Sequence, residues 1–85
     1  MSSDLLKQYK IIRDAIRGNV ETIGKLSNQS EELHKTISSS DDEQLELKEK
    51  LVEGLQNIRN LIESLITQTD ELFDEYNKFI QKVLK

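Results

Sequence analysis

The sequence contains no cysteine, no proline and no tryptophan, and it has one histidine and three glycines in 85 residues. Without cysteine the chain forms no disulfide, holds no thiolate-bound metal and has no cysteine nucleophile. A single histidine also excludes a metal site built from several histidines. Proline is the strongest helix breaker, so its absence from a chain in which 33% of the residues are charged favours long helices.

Excess basic charge and long apolar runs are missing as well. The formal net charge of −4 argues against a nucleic-acid partner, because binding phosphates needs a basic stripe. No run approaches the ~18 apolar residues of a membrane span. The opening MSSDLLKQYK is polar and acidic where a secretion signal would be basic and then apolar. We therefore expect an intracellular protein, cytoplasmic or nuclear, with no nucleic-acid partner and no membrane insertion.

Motifs that carry catalysis are also absent. The sequence has no glycine-rich phosphate loop and no G-x-S-x-G motif, and its histidine has no partner nucleophile in a recognisable pattern. The acidic stretch DELFDEY lacks the alternating ligands and central glycine of an EF-hand loop. Acidic clusters of this kind are typical of solvated helix faces. We expect no enzyme activity, no cofactor, no metal and no small-molecule substrate.

Two segments with a heptad repeat dominate what is present. Alternating spacings of four and three residues predict amphipathic helices with core positions a and d, whereas a strand would need strict alternation. In the first segment the core positions are Leu5, Tyr9, Ile12, Ile16, Asn19, Ile23, Leu26, Ser30, Leu33 and Ile37. In the second they are Leu51, Leu55, Ile58, Ile62, Leu65, Thr69, Leu72, Tyr76, Phe79 and Val83.

Gly18, next to the polar core residue Asn19, is the weak point of the first segment. We interpret it as a tolerated defect or a small kink that costs about 1 kcal/mol relative to alanine. The alternative is a break that divides the chain into three helices. Thr69 and Ser30, the polar residues at other core positions, are expected to donate hydrogen bonds back to carbonyls of their own helix.

The stretch TISSSDDEQLELKEK joins the two segments. Its Ser40 and Glu43 match the capping box S-x-x-E, in which the serine and the glutamate each accept a hydrogen bond from the other's backbone N–H. We therefore predict helix 1 at about residues 3–37, a turn at 38–40 and helix 2 at about 41–84, in a single domain of residues 1–85. A phosphorylated acidic patch is the alternative interpretation of the serines, and it is compatible with the cap.

A short turn makes the long helices antiparallel neighbours, so the predicted fold is an all-α helical hairpin. We expect a register in which the numbers of paired residues sum to 81, so that Tyr9 meets Leu72. In that register helix 2 runs past the start of helix 1. Ile80, Val83 and Leu84 then have no cover from their own chain.

The apolar stripe of helix 2 is also wider than one partner helix covers, because it includes the e positions that follow each d residue. A surplus apolar row of this kind marks an interface. The predicted partner interface consists of Val52, Arg59, Ile66, Phe73, Phe79, Ile80, Val83 and Leu84. The e row of helix 1, which is Leu6, Arg13, Val20, Ser27 and His34, is patchier.

These observations predict a non-enzymatic structural subunit. Its hairpin would pack with other helical subunits, identical or different, into a helical bundle or coiled coil in an intracellular complex. The alternative is a small chaperone or export partner that shields an apolar helix of a client and then leaves. A peripheral membrane helix at residues 65–85 is disfavoured, because its acidic residues would be repelled by anionic lipids.

Overall fold

The structure, a computed structural model, describes residues 3–84, with Asp42 described by its backbone alone. Helix α1 spans Ser3–Ser39, a short 3-10 helix spans Asp42–Gln44, and helix α2 spans Leu45–Leu84. The two long helices pack against each other, and the described residues contain no strand. The predicted all-α helical hairpin is thus confirmed. It is a rod of 64 × 15 × 14 Å.

Helix α1 continues without a break through Gly18 and Asn19. No residue between positions 3 and 84 has a positive φ, and the Thr22 hydroxyl donates to the carbonyl of Gly18 over 2.9 Å. A Cβ added at Gly18 would meet nothing within 4 Å, so the glycine lies in open space and its missing side chain leaves no hole. The alternative of three helices is wrong.

The link between the helices differs from the predicted capping box. Ser40 Oγ donates to the carbonyl of Thr36 over 2.7 Å, and Ser40 N–H donates to Ile37. Ser40 therefore closes the end of α1. The N-cap position before the 3-10 helix is Asp41, which is extended at φ −72° and ψ 152° and makes no side-chain capping bond. The prediction that Ser40 and Glu43 cap helix 2 is wrong, because the chain still needs these residues to cross between the helices.

The heptad positions form the interior, as their spacing predicts. Every one of the a and d residues named above is buried or half-buried. Ile12, Thr69 and Phe79 are the most deeply covered, each with 6% of its surface exposed. The Thr69 hydroxyl donates to the Leu65 carbonyl over 2.6 Å, as predicted, so its burial leaves no polar atom without a partner. The matching bond predicted for Ser30 is absent.

The register differs from the predicted one by a full heptad. The ring of Tyr9 stacks on Phe79, with centroids 6.4 Å apart, and lies 6.1 Å from the ring of Tyr76. Near the turn, a Cβ added at Gly54 would lie 3.6 Å from Leu33 Cδ2. Paired residue numbers therefore sum to about 88, where we expected 81.

The physical reason for this register lies in which residues it pairs. A slip of seven residues keeps every a position opposite a d position, so the heptad pattern allows both registers. A sum of 81 would have set Leu33 opposite the charged Lys48, whereas the observed register sets it opposite Leu55. It also sets the polar Asn19 level with Thr69. The observed register thus gives every core residue of one helix a core residue opposite it on the other, which favours the burial of apolar surface, and the two helices end level with each other.

Candidate interaction surface

One long side of the hairpin carries a row of apolar side chains from both helices. In an antiparallel pair the e positions of the two helices lie on the same side. We call this side the apolar face and define it by Leu6, Val20, Val52, Ile66, Phe73 and Ile80. The first five are between 46% and 53% exposed, and Ile80 is half-buried.

Two shallow grooves run along the apolar face between the helices. The first is lined by Leu6, Tyr9, Phe79, Ile80 and Val83, all from the end of the rod where α1 begins and α2 ends. The second, one turn further along, is lined by Tyr9, Arg13, Ile16, Phe73 and Tyr76. Each groove has walls from both helices, so its shape depends on the hairpin being closed.

Arg13 lies in the second groove. Its guanidinium carbon is 5.6 Å from the centroid of the Tyr9 ring, within the range of a cation–π interaction. It also forms an ion pair with Asp14, with an N–O distance of 3.4 Å. The arginine thus lies over an aromatic ring, and its aliphatic part adds apolar surface to the groove.

The opposite side of the hairpin is different in chemistry. We call it the polar face, and it is formed by the g positions, which include Gln8, Thr22, Gln29, Gln68, Glu75 and Lys82. Its grooves have charged and amide walls: one is lined by Gln8, Ile12, Glu75, Lys78, Phe79 and Lys82. Asn19 lines another with Gln68, Glu71, Leu72 and Glu75. Leu61, 54% exposed, interrupts this face.

The predicted interface residues fall into three groups in the structure. Val52, Ile66 and Phe73 lie exposed on the apolar face, with Arg59 exposed in the same row. Phe79 is buried against Tyr9, so the hairpin itself covers it.

The end of α2 is covered more than expected. Ile80 and Val83 are half-buried in a groove that they share with Leu6 and Tyr9, which corrects the expectation that nothing of their own chain covers them. Leu84 is 81% exposed.

No interface role was predicted for Leu6 and Val20 of α1. Both are about half exposed and belong to the apolar face. The signal that could have found them is the hairpin geometry itself. Once the helices are antiparallel, the e rows of both must be read together, and the patchy row of α1 then widens that of α2.

Three further observations concern the classes of site. In residues 3–84, no group of three or more histidine, aspartate or glutamate side chains is placed to hold a metal ion. Neither described helix has a stretch long and apolar enough to cross a membrane. Comparison of the chain with family models, curated proteins and solved structures gives no match, so the geometry of the hairpin is the basis for assigning function.

Proposed function

We propose that this protein is a non-enzymatic assembly subunit whose apolar face packs against further helices to build a helical bundle in an intracellular complex. The observation that carries this proposal is the alignment of six apolar side chains from two helices along one side of a hairpin. Scattered exposed apolar residues are normal on soluble proteins, whereas a cluster of them on one side marks an interface.

The row also has the energetics of an interface. Burying a large apolar side chain completely is worth roughly 1.5–3 kcal/mol, so covering the exposed half of one is worth about 1 kcal/mol. The e positions repeat every seven residues, and between Leu6 and Val20 and between Val52 and Ile80 all of them are apolar except Arg13 and Arg59. In the half that holds Leu6, Phe73 and Ile66, a helix laid along the rod would therefore meet an apolar side chain at about every second turn.

The test replaces two side chains of the apolar face at once. Ile66→Asp with Phe73→Asp places two carboxylates in the centre of the row, and both positions are about half exposed, so the hairpin tolerates them. The matched control is Ile11→Asp with Leu61→Asp, which changes two equally large exposed side chains outside the row. We expect the first variant to lose its complex in native extract, measured by size-exclusion chromatography, and the control to keep it.

Two other results would change the proposal. If the Ile66 and Phe73 variant keeps the parent's elution volume in extract, the apolar face is not the assembly surface and the proposal is wrong. If the parent protein is found with a client before delivery and without it afterwards, in a pulse-chase pull-down, the chaperone function predicted as the alternative takes its place.

A further inference from the structure

We infer that the apolar face takes a second copy of this chain, and that the two hairpins form a four-helix bundle whose two-fold axis runs parallel to the helices. This inference rests on the proposed function and names the partner. Three features of the hairpin carry it: the charges at the edges of the apolar face, the position of Arg13 opposite Phe73, and the area of the face.

The two edges of the apolar face carry opposite charges from the open end of the rod to its middle. On α1 the residues beside the row are Lys10 and Arg17, three before and four after Arg13. On α2 they are Glu63 and Asp70, on the same side of Ile66 and Phe73. All four are exposed, and none forms an ion pair within the described part of the chain. One edge is therefore basic and the other acidic, each without a partner of its own.

A two-fold axis parallel to the helices places the basic edge of each copy against the acidic edge of the other. Rotation about such an axis keeps every residue at its own height along the rod. The register puts Arg17 and Asp70 at the same height, since their numbers sum to nearly 88. Arg17 of one copy then faces Asp70 of the second copy, and the contact occurs twice because a two-fold interface is self-complementary.

The alternative two-fold axis, perpendicular to the helices, places like charges together. It sets α1 against α1 and α2 against α2 of the second copy. Centred on the apolar half, it brings Lys10 toward Arg17 and Arg13 toward its own equivalent; centred on the middle of the rod, it brings Glu63 toward Asp70. With the parallel axis Arg13 instead faces Phe73 of the second copy, where a guanidinium over an aromatic ring is stabilising. Like charges placed opposite each other are destabilising, so the charge pattern selects the parallel axis.

The parallel axis also uses the full length of the rod. One long side of the rod, 64 Å by 15 Å, has a projected area of about 960 Å², so overlap along its full length reaches the ~800 Å² per partner of a stable interface. The perpendicular axis, centred on the apolar half, overlaps only about half of that length. Area and charge thus favour the same arrangement.

The experiment measures the mass of the chain in solution and then reverses the charges at Arg17 and Asp70. Light scattering of the purified chain at low ionic strength should give twice the mass of 9.9 kDa of one chain. Arg17→Glu and Asp70→Arg should each weaken the dimer about tenfold, because each creates two like-charge contacts. An equimolar mixture of the two variants should regain the parent's dissociation constant, since every contact in the mixed dimer pairs opposite charges again.

Each other result overturns the inference. A monomer at every concentration up to about 1 mM, where even weak dimers form, excludes the second copy. A dimer that both single variants leave unchanged, or a mixture no tighter than the single variants, excludes the parallel axis. If the chain is monomeric while Ile66→Asp with Phe73→Asp still loses its complex in extract, the assembly function stands and its partner is a different protein.

Discussion

The two halves of the rod have the same heptad pattern but differ in how well they are packed. The open half, residues 5–23 of α1 and 65–83 of α2, contains Ile12, Thr69 and Phe79, the buried residues of the described chain. It also contains the aromatic contacts of Tyr9 with Tyr76 and Phe79. In the turn half, residues 24–64, every described side chain is half-buried or exposed.

The difference shows that position in a heptad sets the direction of a side chain but not how deeply it is covered, since Thr69 is as buried as Phe79, at 6% exposed. Two aliphatic side chains facing each other leave part of each in water, as Leu33 and Leu55 do. Aromatic rings reach across to the partner helix and cover their neighbours. The packing of this hairpin is therefore tightest in the half where α1 begins and α2 ends, away from its turn.

The difference in packing between the two halves is tested most directly by truncating one core residue in each half. Phe79→Ala in the open half should lower the free energy of unfolding by about 3–4 kcal/mol, because it opens a cavity under Tyr9. Leu55→Ala in the turn half should cost about 1–2 kcal/mol, since that side chain is already partly solvated. Urea unfolding at one protein concentration measures both. Equal costs would mean that the halves are packed alike.

Glycine substitution tests how loosely the turn half is packed. Gly54→Ala should raise the free energy of unfolding by about 1 kcal/mol from helix propensity, because the new methyl makes an ordinary contact with Leu33 at 3.6 Å. Gly18→Ala in the open half is the matched control and should gain a similar amount from propensity alone, with no new contact within 4 Å. Urea unfolding is again the measurement. Loss of stability in Gly54→Ala would show that α1 and α2 lie closer there than the structure gives.

Substitution of Thr69 tests whether the polar layer formed by Asn19 and Thr69 lowers the stability of the open half. Thr69→Val should raise the free energy of unfolding by about 0.5–1 kcal/mol, since it buries a methyl in place of a hydroxyl that bonds only its own helix. Thr67→Val is the control, because Thr67 makes the same kind of bond, to Glu63, on the exposed side. That variant should change stability little. A destabilised Thr69→Val would indicate that the hydroxyl has a role across the helix pair.

The smallest expected effect concerns the link. Ser40→Ala removes the bond to Thr36 and should cost about 0.5 kcal/mol, with faster amide exchange in the last turn of α1. Ser39→Ala, whose hydroxyl donates to the same carbonyl over 3.1 Å, is the control for one bond of this kind. Hydrogen exchange followed by mass spectrometry locates the change. If amide exchange became faster in the first turn of α2 instead, Ser40 would act as the N-cap of α2, a role that it does not have in the structure.

A periodic pattern predicts which residues face the partner helix, but it does not predict how the two helices are aligned. Spacing alone identified the interior positions from Leu5 to Val83, because a and d residues must face the partner in any antiparallel pairing. Spacing does not determine the register, since a slip of one heptad preserves it. The register depends on the summed packing of all layers, as with Leu33 against Leu55. The prediction of a capping box at Ser40 was wrong for the same reason. The register decides which residues are left to form the link between the helices.

For the candidate surface as well, the residues that one helix's pattern identifies were predicted, and those that depend on the alignment of the two helices were not. Ile66 and Phe73 were found from the width of one helix's stripe, which is a local property. Leu6 and Val20 were missed because their membership of the apolar face exists only once the two helices are aligned. Phe79 was assigned to the partner interface because the wrong register left it near an uncovered end.

A hairpin with level ends brings the start of α1 and the end of α2 to one place. Leu6 and Val83 share a groove there, so a tag or reporter attached close to Ser3 or Leu84 lies beside the best-packed half and within reach of the apolar face. The link after Ser39 lies at the other end of a rod 64 Å long. For imaging or capture, an insertion between Ser40 and Asp41 is therefore the attachment point that keeps the label far from the surface where we expect assembly to occur.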